Sequence, residues 1–274
     1  MNNFSIKILG SASPYPKGEK NGQGLLVKYD RKNILLNCGS GVTRLMNFPD
    51  DLDNLSIIIS SLRPEFITDL ETIALAIDES KKLGYNSNTN INLYLPDGNT
   101  SNVTKNYPSY GRIKPYTVTE KEPSERYSQI TKQLSPYKIN IIGLSNIKKL
   151  SDEINLKRKK TYNGNPEAYS FRICTTYGDV TYIGNASNWA ELIDFSKDSK
   201  YLICGAEHTY GQYRKEGNLY ANEAAKLAES ANVEKLILTQ LHPEKSDEDY
   251  LREAKRYFEN VEIAKEGKEY ILKK

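Results

Sequence analysis

The order of strand-like and helix-like segments predicts an α/β (α+β) protein, a four-layer αββα sandwich of two mixed β-sheets flanked by helices. Three observations carry this. Short apolar or alternating runs recur in both halves of the chain and pair locally as hairpins. Amphipathic helical segments lie between them in both halves. No linker or abrupt change of composition divides the 274 residues, so 1–274 reads as one domain.

Phe4 to Leu9 alternate as a strand ending at Gly10, and the loop Ser11-Ala12-Ser13-Pro14-Tyr15-Pro16 follows. Gly24 to Tyr29 and Asn33 to Leu36 read as a hairpin across Asp30-Arg31-Lys32. Asn37-Cys38-Gly39-Ser40-Gly41 is a tight glycine-rich turn into a short helix. The apolar strand Leu55 to Ile59 leads through Ser60-Ser61-Leu62-Arg63-Pro64-Glu65-Phe66 into a helix with Leu70, Ile73, Ala74 and Ile77 on one face. Ile91 to Leu95 is a strand stopped by Pro96. Residues 97–137 are poorly periodic and rich in tyrosine and proline, and are read as a lid or excursion. Lys148 to Lys160 is lysine-rich, either a solvated basic face or a contact for an anionic ligand or partner.

Tyr169 to Thr175 and Val180 to Ile183 form a second hairpin, and Tyr201 to Cys204 is a strand. Ala221 to Ala231 is a helix striped by Ala224, Leu227, Ala228 and Ala231. Lys235 to Thr239 is a strand. Ser246 with Asp249 resembles a capping box that opens a helix through Phe258. Val261 to Ala264 and Tyr270 to Leu272 close the chain as strands.

Composition narrows the function. The 38 basic and 35 acidic side chains give a formal charge of +3, too mild to imply nucleic-acid binding. No apolar run reaches the roughly 18 residues of a membrane span, and the N-terminus has no signal-peptide pattern, so a cytoplasmic protein is expected. Cys38, Cys174 and Cys204 are widely spaced in apolar runs and read as buried reduced thiols, with no CxxC pair to suggest structural zinc. The two histidines, His208 and His242, are too few for a dinuclear imidazole site.

Five segments share a resemblance, in order along the chain. Ile8-Leu9-Gly10-Ser11-Ala12-Ser13-Pro14 is similar to a Leu-Gly-Ser-Gly-Ser-Pro loop, and Leu35 to Gly41 to Leu-Leu-Asp-Cys-Gly-x-Gly, with Asn37 replacing Asp. Tyr182 to Ala186 resembles Tyr-x-Gly-Asp-Thr, and Gly217 to Ala221 resembles Gly-His-Leu-Thr-Ala. Leu238 to Glu244 resembles Leu-Thr-His-x-x-Pro-Glu. Together they resemble the metallo-β-lactamase fold superfamily, in particular its ribonuclease Z-like and cyclic-nucleotide phosphodiesterase-like branches. The resemblance implies a two-metal phosphodiester hydrolase scaffold that often dimerises. It places the His-x-His-x-Asp-His ligands on Ser61, Arg63, Glu65 and Phe66, the next histidine on Gly164, the bridging aspartate on Asn185 and the final histidine on Gln240. A further histidine near the scissile phosphate falls on Asn218.

These replacements are poor metal ligands: Phe66 and Gly164 offer no ligand atom, and Arg63 brings a fixed positive charge. No metal, no cofactor and no catalytic residue is expected. The replacements are nonetheless polar, where decay of an unused cleft would favour apolar residues. Ser13, Ser61, Arg63, Glu65, Asn185, Asn218, Gln240 and His242 are therefore the candidate ligand-binding residues, with Ser11 at the rim. Arginine suits phosphate, and asparagine or glutamine can read base edges. Tyr15, Tyr107, Tyr110 and Tyr116 are candidates for stacking on a base, and His208 for facing the cleft. The expectation is a pseudoenzyme that binds a small anionic ligand, a nucleotide or cyclic nucleotide, and sequesters or senses it as a homodimer. Three alternatives stand: Arg63 paired with Glu65 or Asp69 as an internal salt bridge, a scaffold or regulatory subunit, and a phosphodiesterase-type hydrolase with altered, metal-poor chemistry.

Overall fold

The computed structural model describes residues 4–85, 91–97, 101–107, 116–122, 125–137, 139–147, 150, 154–162, 164, 166–211 and 217–273. The first half contributes β1 (Phe4–Gly10), β2 (Gly24–Tyr29), β3 (Lys32–Leu36), β4 (Leu55–Ile58), α1 (Leu70–Lys82), β5 (Asn92–Leu95), β6 (Ser101–Tyr107), β7 (Tyr116–Glu122), α2 (Glu125–Leu134) and β8 (Asn140–Gly143). The second contributes β9 (Asn155–Tyr162), β10 (Ala168–Thr175), β11 (Gly178–Ile183), α3 (Ile193–Ser196), β12 (Tyr201–Gly205), α4 (Ala221–Ser230), β13 (Lys235–Thr239), α5 (Asp247–Ala254), β14 (Val261–Ile263) and β15 (Glu269–Leu272).

Two mixed sheets result, as the sequence predicts. The seven-stranded sheet runs β15-β1-β2-β3-β4-β5-β8, and the six-stranded sheet runs β14-β13-β12-β11-β10-β9. In each, antiparallel hairpins give way to parallel strands, at β3–β4 in one sheet and at β11–β12 in the other. Strands buried on both faces read as continuous apolar runs, and alternate residues serve different layers. Ile6, Leu25, Val27 and Ile34 of one sheet meet Phe171, Ile173, Ile203 and Ile237 of the other in a central core. Leu26, Leu35 and Ile57 face outward onto α1 (Leu70, Ile73, Ala74, Ile77) and α2 (Ile130, Leu134). Leu202, Cys204, Leu236 and Leu238 do the same against α4 and against Tyr250 and Ala254 of α5. No helix among the described residues is long and apolar enough to cross a membrane.

Several local expectations change. Residues 97–137 hold the β6–β7 hairpin, pairing Ser101–Tyr107 with Tyr116–Glu122, and then α2. Ile130 and Leu134 of α2 are buried, so this end of the segment is part of a helical layer and not an excursion. Its periodicity escaped notice because two buried apolar residues sit among polar ones. The lysine-rich run is β9, an edge strand whose exposed Lys157, Arg158 and Lys160 guard against edge pairing; positions 148–149 and 151–153 lie outside the described residues. Helix α5 ends at Ala254 rather than Phe258, because the Ala254 carbonyl accepts from both Tyr257 N (3.0 Å) and Phe258 N (3.0 Å) in a closing turn. Its cap is Ser246 Oγ accepting from Glu248 N (3.1 Å), while Asp249 pairs with Arg252. Cys38 and Cys204 are buried, but Cys174 is only half-buried.

The carboxyl ends of β3, β4, β11, β12 and β13 converge, the usual place for a site in parallel sheets. Gly39 sits at the crossing of two backbones, and a Cβ there would run into the Glu65 carbonyl and come within 2.6 Å of Gln23 N. Gly39→Ala is expected to cost about 1–3 kcal/mol by overpacking, read as a lowered urea midpoint. Burial pushes all three thiol pKa values up, most of all at Cys38 and Cys204. In the native protein at pH 8, Cys174 should be the first thiol to react with an aromatic disulfide reagent, with Cys38 and Cys204 reacting only on denaturation.

Candidate functional site

At the base of the site, two buried amide side chains meet on one hydroxyl. Asn37 follows β3 in the left-handed region (φ 62°), where asparagine is one of the tolerated residues. Its Oδ1 accepts from Ser60 N (2.8 Å), which turns its Nδ2 toward the Tyr182 hydroxyl (2.9 Å). Gln240, just after β13 and also at positive φ (54°), donates Nε2 to the same hydroxyl (2.9 Å). A Cβ at position 205 would collide with Gln240 Oε1, so Gly205 makes room for this side chain. Burial raises the Tyr182 phenol pKa, opposed by these hydrogen bonds.

A second chain of bonds begins at Glu207, which follows β12. Its Oε2 accepts from Asn218 Nδ2 and, at 3.4 Å, from Ser13 Oγ. Asn218 Oδ1 then accepts from Asn185 Nδ2. Asn185 is further fixed through its carbonyl, which accepts from Thr161 Oγ1 (2.7 Å). Ser11 does not join this group: its hydroxyl donates to Glu266 Oε1 (2.8 Å), a carboxylate that also receives the Ser11 and Asn21 amides.

The third group surrounds Arg63, whose guanidinium lies over the Tyr162 ring with Cζ 5.3 Å from the centroid. Tyr162 occupies the space that a side chain at Gly164 would need. A Cβ at Gly217 (φ 78°) would also press on this ring, within 2.8 Å of Cδ2. The position to which the resemblance assigns a histidine is thus filled by a neighbouring phenol. Phe66 faces away, in the core beneath α1. Ser61 Oγ, Glu65 Oε1 and Asn185 Oδ1 are buried without hydrogen-bond partners among the described residues. Among the described residues no ion pair joins Arg63 to Glu65 or Asp69: Glu65 Oε1 has no hydrogen-bond partner there, and Asp69 accepts from Thr43 N (3.1 Å) and Thr43 Oγ1 (2.8 Å).

His242 belongs to the rim. Its ring meets Tyr15 edge-on (5.8 Å) and lies 6.0 Å from the His208 ring, and its Nδ1 accepts from Glu244 N (3.3 Å). Tyr15 is exposed there. His208 is tied between Lys245 Nζ at Nδ1 (3.0 Å) and Glu207 Oε1 at Nε2 (3.4 Å). Burial lowers the Lys245 pKa, opposed by Glu207 and Glu253. The Tyr250 hydroxyl joins the two loops, donating to the Glu207 carbonyl (2.7 Å) and accepting from His242 N (3.1 Å). Tyr107 and Tyr116 are register partners at one end of the β6–β7 ladder, and Tyr110 lies outside the described residues.

The site therefore unites seven of the eight candidates in three adjoining groups, with His242 at the edge. Sequence reasoning missed Tyr162, Tyr182, Glu207 and Tyr250. Tyr182 was within reach, since it opens the Tyr-x-Gly segment already singled out. The family's two-metal centre does not fit these residues. Among the described residues no group of three or more His, Cys, Asp and Glu is placed to hold a metal ion, and the donor set is mostly neutral amides around a guanidinium.

Comparisons with known proteins agree on the scaffold. Ribonuclease Z of Archaeoglobus fulgidus is 26% identical over 306 residues, covering 96% of each chain. Among solved structures, the metallo-beta-lactamase fold protein YhfI from Bacillus subtilis superposes with a TM-score of 0.80 at 20% identity, over 98% of this chain and 99% of that one. The short form of human tRNase Z gives 0.69 at 15% identity, over 98% and 100%. No family model matches the chain. The protein has the metallo-β-lactamase fold, in the arrangement shared with ribonuclease Z, without an intact metal-binding cluster among its described residues.

Tyr182→Phe would leave the Asn37 and Gln240 amides buried with no acceptor, at about 1–3 kcal/mol for each stranded donor. Equilibrium urea unfolding should register a loss of about 2 kcal/mol or more.

Proposed function

We propose that this protein is a pseudoenzyme that binds a small anionic ligand, a nucleotide or cyclic nucleotide, and sequesters or senses it without hydrolysis. One observation carries the reading. Five of the seven positions to which the resemblance assigns metal ligands hold buried polar side chains, some with hydrogen-bonding capacity unused among the described residues. Arg63, braced on the Tyr162 ring, supplies the cationic group for a phosphate. The nucleotide class is suggested by relatives named ribonuclease Z. A homodimer in the cytoplasm completes the proposal.

Hydrolysis is disfavoured on chemical grounds. A bound metal lowers the pKa of its water from about 15.7 to about 7. Without one, Glu65 as a lone general base would contribute about 10²–10⁴-fold. That is a small part of the ~10¹⁷-fold or larger accelerations that slow phosphate ester hydrolysis demands.

Calorimetry against linear and cyclic nucleotides should find a binder that is recovered unchanged. Arg63→Ala should weaken it about 10- to 100-fold, the worth of a charge-assisted hydrogen bond. Elemental analysis after incubation with zinc, manganese or iron and gel filtration should find no stoichiometric metal; a full equivalent, or turnover of the bound nucleotide, would refute the reading.

A further inference from the structure

Two buried acceptors of the cleft, Glu65 Oε1 and Asn185 Oδ1, stand without a donor among the described residues, beside the donor Arg63 Nη1. Glu207 is the reason for the second. Its carboxylate can only accept, so Asn218 must present Nδ2 to it. That turns Asn218 Oδ1 toward Asn185, which must answer with its own Nδ2. Asn185 Oδ1 is left as the free end of the chain, with no partner among the described residues. The amide orientation is thus set by the terminal carboxylate.

Two further atoms share this condition. Glu65 Oε1 is an acceptor without a donor, and Ser61 Oγ is a hydroxyl without a partner. The three residues are 1%, 7% and 0% exposed for Asn185, Glu65 and Ser61. Ser61 and Asn185 are linked through the elements around Arg63, and Glu65 follows Arg63 by two residues. Ser61 bridges to Ala168, Ala168 pairs with Tyr162, and Tyr162 lies under Arg63. Thr161, next to Tyr162, holds the Asn185 carbonyl.

A phosphate suits Arg63 and the Ser61 hydroxyl but not Glu65 Oε1 or Asn185 Oδ1, because its oxygens would face other acceptors there. We infer that the cleft recognises a nucleotide through an N–H-bearing edge of its base, an exocyclic amine donating to Glu65 Oε1 and Asn185 Oδ1. This rests on the nucleotide reading above and specifies which bases it admits. Cytosine, adenine and guanine carry such an amine. Uracil presents a carbonyl in the place of the cytosine amine, and hypoxanthine lacks the 2-amino group of guanine. Setting a carbonyl against a buried acceptor leaves both unpaired and adds repulsion, whereas an amine satisfies the site at no cost in shape.

The test compares matched pairs on the wild-type protein by calorimetry: cytidine against uridine and guanosine against inosine, each as 5′-monophosphate and as cyclic monophosphate. At least one amino-bearing member should bind about 10- to 100-fold more tightly than its partner. Glu65→Gln, which can turn an N–H₂ group outward, should bring that pair toward parity while binding stays sensitive to Arg63→Ala. Should Glu65→Gln fail to fold, the wild-type pairs decide alone. Equal affinities within every pair would overturn the base-edge assignment and leave nucleotide binding standing. No binding by any nucleotide would overturn both.

Discussion

The hydroxyl of Tyr182 holds the two sheets together at their functional end. Asn37 reaches it from the seven-stranded sheet, and Gln240 reaches it from the end of β13, across β12 in the six-stranded one. The loops that follow β3, β11 and β13 are spaced by these contacts. The resemblance assigns a metal ligand to Gln240 and a conserved-type aspartate to Asn37. Here neutral amides meet on a phenol instead, and the cross-link is made of hydrogen bonds. Such a link needs no metal, but every donor in it must keep its acceptor.

The same exchange of charge for neutral polarity runs through the rest of the cleft. An aspartate at 185 without a metal would be a buried anion close to Glu207, through Asn218. The asparagine found there donates into that network. Gly164 gives up a side chain, and the Tyr162 ring takes the space and carries Arg63 on its face. These changes are mutually consistent. The phenol requires the missing Cβ at 164 and at 217, and the guanidinium requires the ring. A histidine restored at 164 would collide with the Tyr162 ring, so that position cannot regain its ligand while the phenol stays.

The layers of the fold were legible because hydrophobic period is a strong signal where burial is deep. β1, β2, β3, α1 and α4 all announce their faces in this way. The weakly buried elements were not legible. β9 is a charged edge strand, α2 buries two apolar residues, and β8 is four residues long. The cleft was half legible. The motif positions located Ser61, Arg63, Glu65, Asn185, Asn218 and Gln240, but nothing in their spacing revealed that Tyr162 fills the space beside Gly164. Glu207 was also hidden, because its role depends on which loop crosses the end of β12. The Arg63 salt bridge was a sound expectation from sequence proximity. It fails because Asp69 is turned to Thr43.

A cleft of this kind works against the stability of the protein that carries it. Each buried polar atom without a partner costs about 1–3 kcal/mol, against a total stability of about 5–15 kcal/mol for a typical domain. Three such atoms are therefore a substantial burden, and apolar side chains of similar size at 61 and 65 would remove two of them. Asn185 supports Asn218 through its Nδ2, but Glu65 Oε1 and Asn185 Oδ1 touch no partner among the described residues. A ligand that supplied the missing donors would relieve the burden. Such a ligand would stabilise the folded state in proportion to RT ln(1 + [L]/Kd). Unmet polarity in the cleft and affinity for a donor-bearing ligand are, on this view, one free energy seen from two sides.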